Sequence, residues 1–220
     1  MRLVISLGGS MLRFERIKEY AEVLEKLAEE HEVFVVVGGG RIAREYINTA
    51  RSLGADETLC DYIGITVTRL NAMLLISALK SSPKRIPVDF IEAYELSKNH
   101  RIVVMGGTFP GHTTDATAAL LAEFVKADML LIATSVDGVY SRDPRVYRDA
   151  KKFERISASE LVEIVSKSTA KAGSSVVVDL LAAKVIERSK IKTVVFLGEP
   201  ENVLRVVRGE RIGTVIEASS

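Results

Sequence analysis

Short apolar, β-branched runs alternate with stretches of helical periodicity along the whole 220-residue chain, and this alternation restricts the possible folds more than any other feature. Runs at 3–7, 33–37, 102–105, 129–133 and 193–197 have the length and composition of buried strands. Between the first two, Ile17, Tyr20, Ala21, Leu24, Leu27 and Ala28 follow the three-and-four spacing of one helix face. Strands separated by whole helices are joined by crossovers rather than hairpins, which makes them parallel. The expected fold class is α/β: a single three-layer α/β/α domain over residues 1–220, around a mostly parallel sheet. Further helices are predicted at 56–79, 114–126, 176–188 and 201–207, with a closing strand at 213–217. Ser157 and Glu160 have capping-box spacing and open a helix carrying Leu161, Val162, Ile164 and Val165. No internal repeat, low-complexity tract or Pro/Gly linker marks a domain boundary.

Charge narrows the function. Thirty Lys+Arg oppose 29 Asp+Glu, a formal net charge of +1, with the two signs interspersed. That argues against a nucleic-acid binder, which depends on surplus cations to release phosphate counterions. Cys60 is the only cysteine, so an intramolecular disulfide is impossible, and a small, partly buried hydrophobe is the simplest reading of it. No apolar stretch of membrane-spanning length lacks a charge. The start, MRLVISLGGSMLRFER, continues into Arg13, Glu15 and Arg16 without the cleavage site of a signal peptide. A cytoplasmic protein without membrane or nucleic-acid partners is expected.

The chemistry collects where four strands stop in small residues: Gly8-Gly9-Ser10, Gly38-Gly39-Gly40, Gly106-Gly107-Thr108 and Thr134-Ser135-Val136-Asp137-Gly138. In an open parallel sheet the carboxyl ends of the strands share one edge, so these loops should face a common crevice. Glycine lets backbone N–H groups approach an anion, and a following helix adds the positive end of its dipole. Ser10, Thr108, Thr113, Thr114 and Thr134 add neutral donors. Asp115, Asp137 and Asp143 can position a lysine or a hydrated magnesium ion, or serve only as caps. A polyphosphate suits such a set better than a single carboxylate does.

Other sites are weaker. The G-x-x-x-x-G-K-[ST] motif of P-loop NTPases is absent. Gly38, Gly40 and Ala43 fit G-x-G-x-x-A after a strand, with Asp56, Glu57 and Asp61 near the spacing of a ribose-binding acid, which keeps a dehydrogenase open. That acid should end a strand, whereas Asp61 falls within a helical stretch. His31, His100 and His112 share no metal-ligand spacing, and no G-x-S-x-G elbow is present. His112, among glycines and threonines, is read either as a ligand contact or as a loop stabiliser.

The segments LGGS at 7–10, VVGGGRIAREY at 36–46, CDYIGITVTRLNAMLL at 60–75, MGGTFPGHTTDATAALLAEF at 105–124, TSVDGVYSRDP at 134–144 and KAGSSVVVDLLAAKVIERS at 171–189 resemble the amino acid kinase superfamily. They are most similar to its archaeal-type UMP kinases. The likeness covers almost the whole chain in order. VDGVY with a following DP marks the superfamily, while the DYIG and PGHTTD segments point to the UMP kinases. The resemblance implies transfer of the ATP γ-phosphoryl group to UMP in pyrimidine nucleotide synthesis, with Mg2+, by a cytoplasmic homohexamer. By position it implies a UMP site of Gly39, Asp61, Thr108, Phe109, Pro110, Gly111, His112, Thr113 and Thr114. Gly9, Ser10, Gly40, Arg44, Thr134, Tyr140 and Asp143 match the ATP site, and Asp115 matches an aspartate that organises charge near the transferred group.

Two positions depart from the wider superfamily. Ser6 stands where many members carry a lysine, which leaves Arg44, Lys167 and Lys171 as unranked candidates for the catalytic cation. Ser135 stands in place of a usual Asn. The alternatives to UMP kinase are a kinase of the same superfamily with another acceptor, and a nucleotide-binding or storage protein without catalysis.

Overall fold

The structure, a computed structural model, describes residues 1–144, 146–169 and 177–217. In chain order its elements are β1 (Arg2–Leu7), α1 (Ile17–Ala28), β2 (Glu32–Val37), α2 (Gly40–Ser52), α3 (Glu57–Ala78), α4 (Phe90–Ser97), β3 (Ile102–Met105), α5 (Thr114–Phe124), β4 (Met129–Thr134), β5 (Arg155–Ser157), α6 (Ala158–Thr169), α7 (Leu180–Ser189), β6 (Thr193–Leu197), α8 (Pro200–Val207) and β7 (Thr214–Glu217). The strands form one seven-stranded sheet in the order β3-β2-β1-β4-β6-β7-β5. Every pairing is parallel except β6 with β7.

Period-two alternation divides the strands between two cores. Val4, Phe34, Val36, Val103 and Leu130 face Ala118, Leu121, Val165 and Ile186 of α5, α6 and α7. Leu3, Ile5, Val33, Val35 and Leu131 face Tyr20, Leu24, Leu75 and Val203 of α1, α3 and α8. These are the three layers expected of the α/β class. Both cores hold strands that are buried on each face, which is why those strands read as continuous apolar runs.

Some details differ from the sequence expectation. The helix expected at 176–188 starts at Leu180, because Asp179 accepts a hydrogen bond from the Ala182 N–H and caps it; residue 176 itself lies outside the described residues. The Ser157–Glu160 capping box is present in both directions, Ser157 N–H to the Glu160 carboxylate and Glu160 N–H to the Ser157 hydroxyl. The short elements β5 and α4 carry too few residues for their periodicity to stand out. Helix α3, by length and composition alone, would pass for a membrane-crossing segment. It nevertheless buries Cys60, Val67, Ala72 and Leu75, packs on α2, β2 and β3, and carries Asp61 and Arg69. Those contacts fit a core helix.

Candidate active site

The strand order puts β3, β2, β1 and β4 side by side, so the four glycine-rich ends share one edge. The β1 and β2 loops touch backbone to backbone. A Cβ on Gly9 would lie 2.0 Å from the Gly40 nitrogen and 2.7 Å from the Gly38 carbonyl carbon, so no side chain fits there. Gly40 opens α2 with φ +65, a left-handed conformation that other residues adopt only with strain. The buried Asn71 of α3 donates to the Gly38 carbonyl at 2.9 Å and the Gly39 carbonyl at 3.3 Å. With both carbonyls held by one amide, the loop's free N–H groups are left for an anion. Gly9, Ser10, Gly39 and Arg44 line a cleft of about 330 Å³ beside this junction.

On the β3 side, Asp61 sits in the second turn of α3 and accepts a hydrogen bond from the Gly111 N–H at 2.8 Å. Helix α3 and the 108–114 loop are thereby joined. Thr68 accepts from the Gly107 N–H at 2.7 Å, which anchors the start of the same loop two helical turns away. Within the loop, which includes Thr108 and Pro110, Phe109 is exposed and its ring centre lies 6.2 Å from that of His112. The His112 Nδ1 atom is buried without a hydrogen-bond partner. Thr113 caps α5 by accepting from Ala116 N–H at 3.0 Å and donates its hydroxyl proton to Asp179. Thr114 points toward Gly38, where an added Cβ would lie 3.0 Å from its hydroxyl oxygen.

Asp115, in the first turn of α5, accepts a 2.5 Å hydrogen bond from the buried Ser6 hydroxyl of β1. Burial pushes its carboxyl up to about 6; the Ser6 bond pulls it back and the nearby Asp179 carboxylate raises it further. A carboxylate in that state gains strongly from any positive charge delivered beside it.

Thr134 ends β4, on the other side of β1, and its carbonyl accepts from Gly198 N–H at 2.8 Å. In the loop that follows, Tyr140 donates to Asp137 at 2.7 Å, and Lys152 donates to the other Asp137 oxygen at 2.8 Å. Lys152 therefore holds the Asp137 carboxyl below its ordinary range, and the bond to Asp137 raises the Tyr140 hydroxyl. The Asp143 carbonyl accepts from Val146 and Tyr147 N–H groups, closing a turn.

Thus Asp61 and the 108–114 loop come together, as do Gly9, Ser10, Gly39, Gly40 and Arg44, while Thr134, Tyr140 and Asp143 occupy the β4 end. Of the candidate cations, Arg44 lines the cleft, Lys167 is exposed on α6 and pairs with Glu163 at 2.6 Å, and Lys171 lies outside the described residues. The dehydrogenase alternative fails because Asp61 lies inside α3 and β3, the strand beside β2, ends in Gly106-Gly107 without an acid. Sequence reasoning missed Asn71, Asp179 and Lys152 as site-building residues. An Asp before Leu-Leu-Ala-Ala is a readable helix cap, but the partners of Asn71 and Lys152 are distant in sequence.

The chain matches the model of the amino acid kinase family over residues 1–197. It is 66% identical over 218 residues to a uridylate kinase of Archaeoglobus fulgidus, covering 98% of this chain and all of that one. A uridylate kinase of Methanocaldococcus jannaschii is 55% identical over 99% of this chain and all of its own length. Among solved structures, the crystal structure of uridylate kinase from Archaeoglobus fulgidus superposes with a TM-score of 0.92 at 64% identity, covering 98% of this chain and 100% of that one. That of UMP kinase from Bacillus anthracis superposes with a TM-score of 0.80 at 25% identity, covering 100% and 96%.

Proposed function

The chain belongs to the amino acid kinase family, and from that premise we propose that it transfers the γ-phosphoryl group of ATP to UMP, giving ADP and UDP for pyrimidine nucleotide synthesis. The observation that carries the reading is the joint placement of the Asp61–Gly111 contact and the Gly9–Gly40 junction along one crevice. A nucleotide acceptor and a polyphosphate donor would meet across β1. The full-length kinship with uridylate kinases favours uridylate as the acceptor.

Phosphoryl transfer asks chiefly for alignment and for neutralisation of charge on the transferred group. A UMP phosphate oxygen is already anionic, so the reaction calls for no general base. We assign UMP to Gly39, Asp61 and the Thr108–Thr114 run, with Asp61 accepting from the ribose hydroxyls. ATP is assigned to Gly9, Ser10, Gly40, Arg44, Thr134, Tyr140 and Asp143, with the glycine N–H groups along the phosphates and Tyr140 near the adenine. Asp115 is the residue that orders positive charge at the reacting centre. Among the described residues no three His, Cys, Asp or Glu side chains gather as a metal cage. Mg2+ would be held mainly by substrate phosphates, with Asp115 as the carboxylate assigned near them. When bound, the ion would neutralise oxygens of the triphosphate.

A homohexamer built from dimers is proposed as the working assembly. It is supported by two exposed apolar faces, one of Leu59, Tyr62, Leu70 and Met73 on α3 and one of Val88, Ile91 and Phe124 around α4 and α5. A closed assembly of dimers needs two distinct interfaces. A cytoplasmic place of work fits these substrates.

Coupled ADP release should be measured with UMP, CMP, dUMP, acetylglutamate, carbamate and isopentenyl phosphate as acceptors. Preference for UMP is the expected result. Preference for another acceptor, or ATP binding without any turnover, would replace this reading with one of its alternatives.

A further inference from the structure

Polyphosphate in this crevice needs positive charge, and β1 brings only the Ser6 hydroxyl, already given to Asp115. The 330 Å³ cleft beside the glycine junction is lined by three arginines, Arg13, Arg41 and Arg44, against one acid, Glu15. Arg41 is largely solvent-exposed and within 3.6 Å of Glu45. Arg16, on the same turn as Arg13, is committed to Glu19 and Glu199. Arg13 and Arg44 have no ion pair among the described residues.

The local backbone explains why Arg13 faces the cleft. Leu12 is buried at 6% exposure and anchors in the α1 side of the core, so the extended residue after it, at φ −80 and ψ 142, projects away from that core. Hydrogen bonds from Arg13 N–H to the Met11 carbonyl and from Arg16 N–H to the Arg13 carbonyl hold this turn at both ends. Of the residues assigned to UMP only Gly39 lines the cleft, at the glycine junction, whereas Gly9, Ser10 and Arg44 of the ATP set all do, so it lies on the donor side of the site.

We propose that Arg13 is an ATP-binding residue whose guanidinium contacts the polyphosphate and supplies there, with Arg44, the positive charge that the crevice end of β1 lacks. The inference rests on the kinase reading above. A guanidinium suits this task because its fork of donors matches phosphate oxygens bidentately.

The test compares Arg13→Gln, Arg13→Lys and Lys18→Gln, the last removing an equal charge from the exposed face of α1. Steady-state kinetics with ATP and UMP varied separately are paired with calorimetric titration of ATP into each protein. Arg13→Gln is expected to weaken ATP binding and raise the KM for ATP by roughly tenfold to a hundredfold, the span of a charge-assisted hydrogen bond. The KM for UMP should change less, Arg13→Lys should recover part of the loss, and Lys18→Gln should match the unmodified protein. ATP affinity unchanged in Arg13→Gln, or lowered equally in Lys18→Gln, overturns the proposal. If the unmodified protein binds ATP through Arg13 yet transfers nothing to UMP, the acceptor reading fails while this inference stands.

Discussion

The two sides of the crevice are built differently. On the proposed acceptor side, side chains on helices and at a helix cap reach across to fix a loop: Asp61 holds Gly111, Thr68 holds Gly107, and Asp179 holds Thr113. On the proposed donor side the β1 and β2 loops pack backbone against backbone, steadied by the Asn71 amide, and the charged side chains around them, Arg13, Arg41 and Arg44, line an open cleft. A pre-ordered loop with carboxylates can tell one acceptor from another. Glycine backbone and exposed cations grip any phosphate chain but read little else. Acceptor choice should therefore depend on a few fixed side chains, and donor binding on main-chain geometry together with the charge of the arginines.

The most severe test of that contrast lies between the two halves. Asp115→Asn keeps the shape and the Ser6 hydrogen bond but removes the charge, and kcat should fall on the order of 10²-fold. Both KM values should move little; equal loss in each KM would make Asp115 a structural cap. Stability should move the opposite way. With its pKa raised to about 6, the folded carboxyl holds a proton more tightly than the unfolded chain does. Its stabilising contribution is present below about pH 4 and is lost as pH rises to about 6, a cost of up to about 3 kcal/mol. Asp115→Asn should thus melt higher than the unmodified protein at pH 7.5 and no higher at pH 4, as thermal unfolding would show.

Next in size is Gly9→Ala. Its methyl group would fall on the Gly40 nitrogen, so the two loops must separate, at about 1 to 3 kcal/mol of stability. ATP binding should suffer more than UMP binding, read by calorimetry, if the junction serves the donor as proposed. Unchanged ATP affinity together with unchanged melting would mean that the loops part freely and that the donor half is not held by backbone contact.

How much of this could be read from the sequence follows from the same contrast. The four strand ends, the two-sided core and the Ser157–Glu160 cap were legible because they rest on local periodicity and local hydrogen bonding. Gly9 and Gly40 were legible as phosphate-type loops, whereas their mutual contact was not, since it depends on the parallel register of β1 with β2. Asn71 and Asp179 act 32 to 66 residues away from their partners, and no spacing rule carries that far. Asp61 enters the proposed site by resemblance, and its bond to Gly111, fifty residues away, is again beyond any spacing rule.

Asp61→Asn sharpens the acceptor side. Asparagine keeps one oxygen for Gly111 N–H and loses the negative charge that would draw the ribose hydroxyls. The KM for UMP should rise about tenfold, the scale of one hydrogen bond to a charged group, with the KM for ATP changed by far less. Similar rises in both would place Asp61 in general stability and remove the distinction between the halves.

The smallest effect is expected at Tyr140. Its hydroxyl is occupied by Asp137, which Lys152 holds in place from the other side, so what remains free for a base is the ring. Tyr140→Phe keeps that ring and frees an Asp137 oxygen to water in an exposed loop, where one hydrogen bond contributes about 1 kcal/mol or less. The KM for ATP should shift less than about fivefold, and the KM for UMP should not shift. Tyr140→Ala, which removes the stacking surface, should cost more than Tyr140→Phe if the ring is the contact. Equal losses would mean that the hydroxyl and its Asp137 bond position the donor, and the β4 loop would then work by fixed side chains, as the acceptor side does.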